Sequence, residues 1–508
     1  MALNDVTFVK GQGGLGRPLP GEDHISGIIF YTSTLPSGFS STDRIKKVFS
    51  VEEAEDLGIT DDFSDETAAT GSYLVTNAGA AGDIIELKVQ EYVTEDSSTG
   101  LISLGAYTRS SAATTAALVA TDIAATINAG TSTHGYTASV NTATVTITAR
   151  DGMGIFLNSG TPITATITGT IAGTITQFSG GAYSKLSQWH YHISEYFRIQ
   201  PKGELYIGMY GVPSTYDFSD VQTVQNYATG KIRQFAVFCD GTTYTSAKVQ
   251  AAQTIAATLE TAHMPCSILV TFDYSAATLS ALADLSGLNS PKVSVVIGQD
   301  GFATGYRIYK ATGRSITNLG NVLGAVSFAK VSEDIAWLGK FNLAAGEELD
   351  VPAFANGVQV SASSTSLLTS LDTNRYIFLL KQVGYSGTYV NDSHTCVLES
   401  SDYAYIENNR TIDKAIRLLR VAYLPSLNGP LVLNSDGTLT DVDVAKFEGV
   451  GETALDPMVR DQELSDKAVT VNTTQNIQST NQLAVSVDLI GIGVARNIDI
   501  KIQYVQSI

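Results

Sequence analysis

At 508 residues the chain is too long for one ordinary hydrophobic core, so about two to four domains are expected. Charged residues make up only 16% of it, against a usual level of about 25%, so Ser, Thr, Asn and Gly must cover much of the surface, a composition suited to burial in an assembly. The net charge of −19 excludes a general nucleic-acid binder, which needs a basic face.

No run of about 20 apolar residues occurs, and the opening MALNDVTFVK lacks the basic-then-apolar order of a signal peptide. No membrane insertion is expected, and folding in a cytoplasm is. Cys239, Cys266 and Cys396 are odd in number and far apart, which fits reduced core thiols better than a disulfide framework.

Residues 1–24 read as an arm: a short strand around Val6 to Lys10, including Val6 and Phe8, then the Gly- and Pro-rich run GQGGLGRPLPG. Gly11, Gly13 and Gly16 match the spacing of a dinucleotide fingerprint, but Arg17-Pro-Leu-Pro20 follows where a helix must open, so a hinge is the better reading. The strand HISGIIFYTS comes next, then a helix for which Ser50 and Glu53 form a capping box.

Composition shifts near Thr76. From Gly79 to Gly181 alternating strands such as IIELKV, TVTITA and TATITGTI surround one helix at Ala116 to Ala129, the pattern of a compact β-sandwich with a helix. In WHYHI, period-two alternation would make a strand with His190 and His192 on one face. No Asp, Glu or Cys cluster completes a metal set there, so a packed aromatic junction is expected.

From Gly203 strands and helices alternate: GELYIGMYG, FSDVQTVQNYA, IRQFAVFCD, SAKVQAAQTIAATLETA, CSILVTFDY, AATLSALADLS as a helix, then KVSVVIGQ. Such an order makes a largely parallel sheet with covering helices. His263 and Cys266 fall at a helix boundary before Pro265. Strands are expected around Tyr376 to Val383 and Thr388 to Leu398.

A helix from about Tyr403 to Tyr423 is amphipathic. Tyr405, Ile412, Ile416, Leu419 and Tyr423 form one stripe, and Arg410, Lys414 and Arg417 lie about 200° away. Those three cations are either a solvated face or a contact for an acidic partner. In the last segment Val485, Val487 and Leu489 alternate in one strand and Ile498, Ile500, Ile502 and Tyr504 in another, with Ile490-Gly-Ile-Gly-Val494 as the turn of a hairpin. Such a hairpin has an open edge that invites another strand.

The fold class expected is α/β in a multi-domain α+β arrangement. It comprises an arm over 1–24, a first α/β segment over 25–78, an inserted β-sandwich-like domain over 79–184, an α/β core over 185–345, and a C-terminal α+β domain over 346–508 ending in a strand arm. No G-x-S-x-G, H-E-x-x-H, Walker A or paired Cys-x-x-Cys motif occurs, so catalytic, cofactor and metal sites are not expected.

HISGIIFYTS followed by VEEAEDLG, the α/β middle, YAYIENNRTIDKAIRLLRVAYLP and LAVSVDLIGIGVARNIDIKIQYV together make the chain resemble the contractile tail sheath proteins of bacteriophages and related injection machines. The likeness omits residues 79–181, which look like the β-rich decorations inserted in many phage tail proteins. It implies a non-catalytic virion component, assembled in the host cytoplasm as hexameric rings stacked helically around an inner tail tube and shortening on triggering. The implied partners are copies of itself, the tube protein, and baseplate and neck or terminator proteins. Val6, Phe8, Ile498, Ile500, Ile502 and Tyr504 would then complete sheets between subunits, and Arg410, Lys414 and Arg417 would face the tube. A tube, baseplate or adhesin protein, or an α/β enzyme, is the alternative.

Overall fold

The structure, a computed structural model, describes residues 21–92 and 100–504. Val6, Phe8 and the glycines at 11, 13 and 16 lie outside the described residues.

Seven strands form the central sheet. From one edge they are Tyr376–Ile377, Val293–Val296, Ser267–Asp273, Gln234–Thr243, Ile25–Tyr31, Glu204–Tyr210 and Ile45–Val48. Every neighbouring pair is parallel except the last, where Ile45–Val48 runs antiparallel to Glu204–Tyr210. A parallel sheet is covered on both faces, so its strands carry unbroken apolar runs. Ile25–Tyr31, mid-sheet, is buried at every residue.

Alternate residues of those strands feed two cores. Ile29, Phe235, Val237, Ile268 and Val270 pack on one face with Val221 and Val224 of helix Ser219–Tyr227 and with Val249 and Leu259 of helix Ser246–Thr261. Ile28, Phe30, Ala236, Phe238 and Leu269 pack on the other with helices Leu186–Ile199 and Leu319–Phe328. These two helices meet at glycine: a Cβ on Gly320 would lie 2.1 Å from the His192 carbonyl oxygen.

Several expectations are corrected. WHYHI is helical, because Trp189, Ile193, Tyr196 and Phe197 repeat at helical spacing and bury one stripe. AATLSALADLS is two single 3₁₀ turns, Leu279–Ala281 and Ser286–Leu288; Asp284 accepts a hydrogen bond from Ser286 N at 2.8 Å and restarts the chain between them. The strands expected over 376–398 shrink to the pairs Tyr376–Ile377, Leu379–Leu380 and Tyr389–Val390. Ser50 does cap helix Val51–Asp56, accepting from Glu53 N at 3.3 Å, while the Glu53 carboxylate reaches back to Phe49 N at 2.8 Å.

The insertion has two antiparallel sheets. One orders Thr137–Asn141, Thr144–Thr148, Thr70–Asn77 and Ala172–Ser179; the other orders Leu101–Thr108, Ile84–Gln90 and Ile163–Thr168. Both sheets and helix Ala116–Ala129 share one core containing Tyr73, Leu87, Ile123 and Ile147. Its first strand precedes residue 79, so the expected boundary is too late: reciprocal hydrogen bonds between Thr67 and Ala182, at 3.0 and 2.9 Å, close the unit at its base.

The boundary expected at 346 also moves. Val295 of the central sheet pairs with Tyr376, and Ser290 bridges Cys396, so the body continues to about residue 396. Beyond it, helices Ile406–Tyr423 and Asp441–Arg460 pack against a two-stranded antiparallel sheet, Leu464–Val471 with Val485–Gly491. All three cysteines are buried and unpaired. Among the described residues no helix is long and apolar enough to cross a membrane.

Candidate assembly surface

The C-terminal sheet has two different edges. Glu448 and Glu452 sit one turn apart on the Asp441–Arg460 helix and accept hydrogen bonds from Val471 N and Val469 N, at 3.0 and 2.9 Å. Those two amides therefore point away from the partner strand, and the helix covers that edge. Across the sheet Val469 faces Val487 and Val471 faces Val485. In an antiparallel ladder, residues opposite an outward-pointing pair also point outward, so Val485 and Val487 present their main-chain groups along the free edge of the second strand. Their side chains, with that of Leu489, pack inward against the helices.

The chain then leaves the sheet. The hairpin expected between 485–489 and 498–504 does not form: the partner of the first strand is Leu464–Val471, whose Leu464, Val469 and Val471 bury a face that 498–504 would leave bare. Residues 492–504 carry no strand. Ile498, Ile500, Ile502 and Tyr504 are 77%, 76%, 89% and 107% exposed, an apolar alternation with no partner among the described residues.

One residue ties this segment down. Arg496 Nη2 lies 2.6 Å from Glu407 Oε1 and 3.2 Å from Asp334 Oδ2, its Nε lies 2.9 Å from Asp392 Oδ2, and its guanidinium sits 3.4 Å from the centre of the Tyr405 ring. Ser393 donates to the remaining oxygen of Glu407 at 2.5 Å. Burial and the nearby Glu407 and Asp392 push the Asp334 carboxyl up to about 7, and burial likewise raises Glu407. Burial disfavours the charge on Arg496, but the carboxylates outweigh it and hold its pKa above the ordinary value.

The basic helix is placed differently from expectation. Arg410 is 4% exposed and donates to the carbonyls of Ala329, Lys330 and Asp23, each at 3.2 Å. Lys414 pairs with Asp23 at 2.7 Å and Glu463 at 2.6 Å, and Arg417 with Asp23 at 2.8 Å. All three cations turn inward, Lys414 and Arg417 to the chain's own carboxylates and Arg410 to main-chain carbonyls, while Ile416 and Val421 face outward. Their expected orientation toward an external acidic surface is therefore corrected. Asp23, which sequence periodicity could not connect to a helix nearly 400 residues away, supplies the counter-charge. Burial opposes ionisation of Asp23, but Lys414 and Arg417 prevail and hold its carboxyl below the usual range; burial, with Arg233 nearby, pushes Arg417 down to about 10.

His190 and His192 do not converge. His190 Nε2 lies 2.9 Å from Glu55 Oε1, whereas His192 is buried against Phe238, and burial pushes its pKa down to about 3. His263 takes a left-handed conformation just past helix Ser246–Thr261. Among the described residues no group of three or more His, Cys, Asp or Glu is arranged to hold a metal ion. Sequence reasoning missed Arg496; its signal is a single arginine directly after the apolar and glycine-rich run LIGIGVA.

Two family models cover the chain: DUF2586, N-terminal domain, over residues 3–394, and DUF2586, C-terminal domain, over residues 402–508. Their boundary coincides with the end of the central body. A search of curated proteins finds no match. Among solved structures the chain is similar to the helical sheath of the anti-feeding prophage in its contracted state, at 16% identity and TM-score 0.42, over 62% of this chain and 81% of that one. It is also similar to a sheath tail protein from Desulfitobacterium hafniense, at 10% identity and TM-score 0.38, over 96% and 100% of the two chains. A third is a sheath tail protein from Listeria innocua, at 11% identity and TM-score 0.37, over 94% and 96%.

Proposed function

The chain belongs to the DUF2586 family, and from that premise we propose that it is the structural subunit of a contractile tail sheath, joined to its neighbours by strand exchange. The observation that carries the proposal is the pairing of an unmatched strand edge at Val485–Gly491 with an exposed apolar alternation at Ile498–Tyr504 in the same C-terminal unit. Each isoleucine of that alternation gains roughly 1.5–3 kcal/mol if fully buried, and main-chain hydrogen bonds to a free edge add register. The N-terminal strand with Val6 and Phe8 is proposed as a second contribution to the shared sheet.

In this reading subunits form hexameric rings stacked around an inner tail tube, and the assembly sits in a virion tail between baseplate and neck or terminator proteins. Flexible arms let bodies rotate during contraction while the shared sheet persists. The insertion, closed at its base by Thr67 and Ala182 and touching the body where Ile155 N donates to the Ala311 carbonyl at 2.8 Å, is proposed to stand on the outer face. The sequence elements HISGIIFYTS, YAYIENNRTIDKAIRLLRVAYLP and LAVSVDLIGIGVARNIDIKIQYV support the same family reading.

Negative-stain microscopy of the purified protein tests the function. Tubes or six-fold rings are expected; a monomer at high concentration overturns the proposal.

A further inference from the structure

The segment 492–504 is exposed along most of its length but is held at one residue. Among the described residues, the four hydrogen bonds that join it to the rest of the chain all come from the Arg496 side chain. Its acceptors come from three separate places: Asp334 in the loop after helix Leu319–Phe328, Asp392 in the loop before the basic helix, and Glu407 in that helix's first turn. Asp334 and Glu407 are 7% and 3% exposed. Three carboxylates this close, two of them buried, repel one another and lose hydration, so they need a cation. A guanidinium suits the task, since its fork of donors reaches several acceptors while its flat face stacks on Tyr405.

We infer that Arg496 and the socket of Asp334, Asp392, Glu407 and Tyr405 form a latch that anchors the arm to its own body, so that only the residues after Arg496 are free to reach a second copy. The inference rests on the strand-exchange reading for its purpose, but not for its geometry. With the latch closed Tyr504 is eight residues beyond Arg496 and can reach roughly 26 Å from it when extended. With it open Tyr504 is thirteen residues beyond Gly491 and can reach roughly 43 Å. The latch thus sets which neighbour is within reach and keeps the apolar stripe from sampling wrong partners.

The latch also responds to pH. The groups facing Arg496 are the three carboxylates and the Tyr405 ring, behind which Arg375 lies 4.9 Å from the ring centre and His394, paired with Asp372, packs at 6.1 Å. Arg410 lies one turn beyond Glu407 in the helix. Docking and protonation compete for the same oxygens, so docking releases protons and weakens as pH falls. Asp334 stands at about 7 with Arg496 docked and higher without it, so docking is strongest well above neutrality and weakens as pH falls through 7.

The test is a distance measurement on the full, unassembled chain at low concentration, with spin labels at Lys501→Cys on the arm and Ser400→Cys on the body; the native cysteines are buried. At about pH 8.5 a narrow distribution is expected. Arg496→Ala should broaden it and extend it outward by up to roughly 17 Å, the difference between the two tethers. If that variant fails to fold because its socket is left uncompensated, Arg496→Ala combined with Asp334→Asn and Glu407→Gln removes the buried charge and reads the same quantity. Acidification to about pH 5.5 should broaden the otherwise unsubstituted labelled chain. A distribution equally narrow with and without Arg496 overturns the latch. That outcome is distinct from failure of strand exchange, which is read on assembled material from a chain lacking 497–508.

Discussion

The central body and the C-terminal unit solve the same problem in opposite ways. In the body the inner strands have local answers: Ile25–Tyr31 has strands on both sides and helices on both faces, and Glu204–Tyr210 is flanked on its far side by a short antiparallel strand. In the C-terminal unit one edge of the two-stranded sheet is capped by Glu448 and Glu452, while the other is open and followed by an exposed apolar segment. A fold that protects one edge with its own side chains can recognise a strand at the other without polymerising at random. The contrast teaches that, among the described residues, the C-terminal unit sets an open strand edge and an exposed apolar alternation side by side in the chain.

Substitutions of similar kind in the two regions should therefore act on different quantities. Phe238→Ala in the body should cost about 3–5 kcal/mol in a denaturant titration, because its ring packs against Phe30 and His192 in a closed core. The adjacent His192 should make the body acid-sensitive. Its pKa is lowered from 6.5 to about 3, so its contribution is present above about pH 6.5 and is lost as pH falls toward 3, on the order of 5 kcal/mol. His192→Asn should flatten that part of the stability-versus-pH curve; an unchanged slope assigns the acid sensitivity elsewhere.

At the junction of the two regions, Asp23→Ala should cost about 1–2 kcal/mol, discounted because Asp23 is partly exposed, by leaving Lys414 and Arg417 without their shared carboxylate. A variant as stable as the parent would return those cations to the list of available surface charges. Removing the edge cap with Glu448→Ala and Glu452→Ala should cost about 1 kcal/mol for each lost hydrogen bond and yield irregular aggregates, visible by light scattering. The smallest effect on folding should come from Ile500→Glu, within about 0.5 kcal/mol of the parent, although tube formation should fail. Asp499→Lys, on the opposite face of the same segment, should be milder in assembly.

Legibility in the sequence followed the same divide. The body's strands and long helices were readable because burial on both faces leaves unbroken apolar runs, as in IRQFAVFCD and CSILVTFDY, and because Ser50 and Glu53 carry a local capping signal. WHYHI misleads because five residues are too few to show the helical stripe of Trp189, Ile193 and Tyr196. The C-terminal strand Val485–Gly491 is legible but its partner is not, since alternation is cleaner in 498–504 than in 464–471, where a register shift follows Leu464, and only packing on the Asp441–Arg460 helix decides. The basic stripe was legible as a stripe, and its direction was hidden because Asp23 and Glu463 reach it only through tertiary contact. Arg496 stands out in the sequence as a lone arginine, but its role is hidden for the same reason: its three acceptors come from positions 334, 392 and 407.

The most direct test of the central claim is to compare the full chain with one lacking residues 497–508 by negative-stain microscopy at matched concentration, after checking that both give the same thermal unfolding midpoint. The account predicts long tubes or stacked six-fold rings from the full chain and only folded single subunits from the shortened one. Tubes of equal length and number from both would contradict strand exchange through the C-terminal segment.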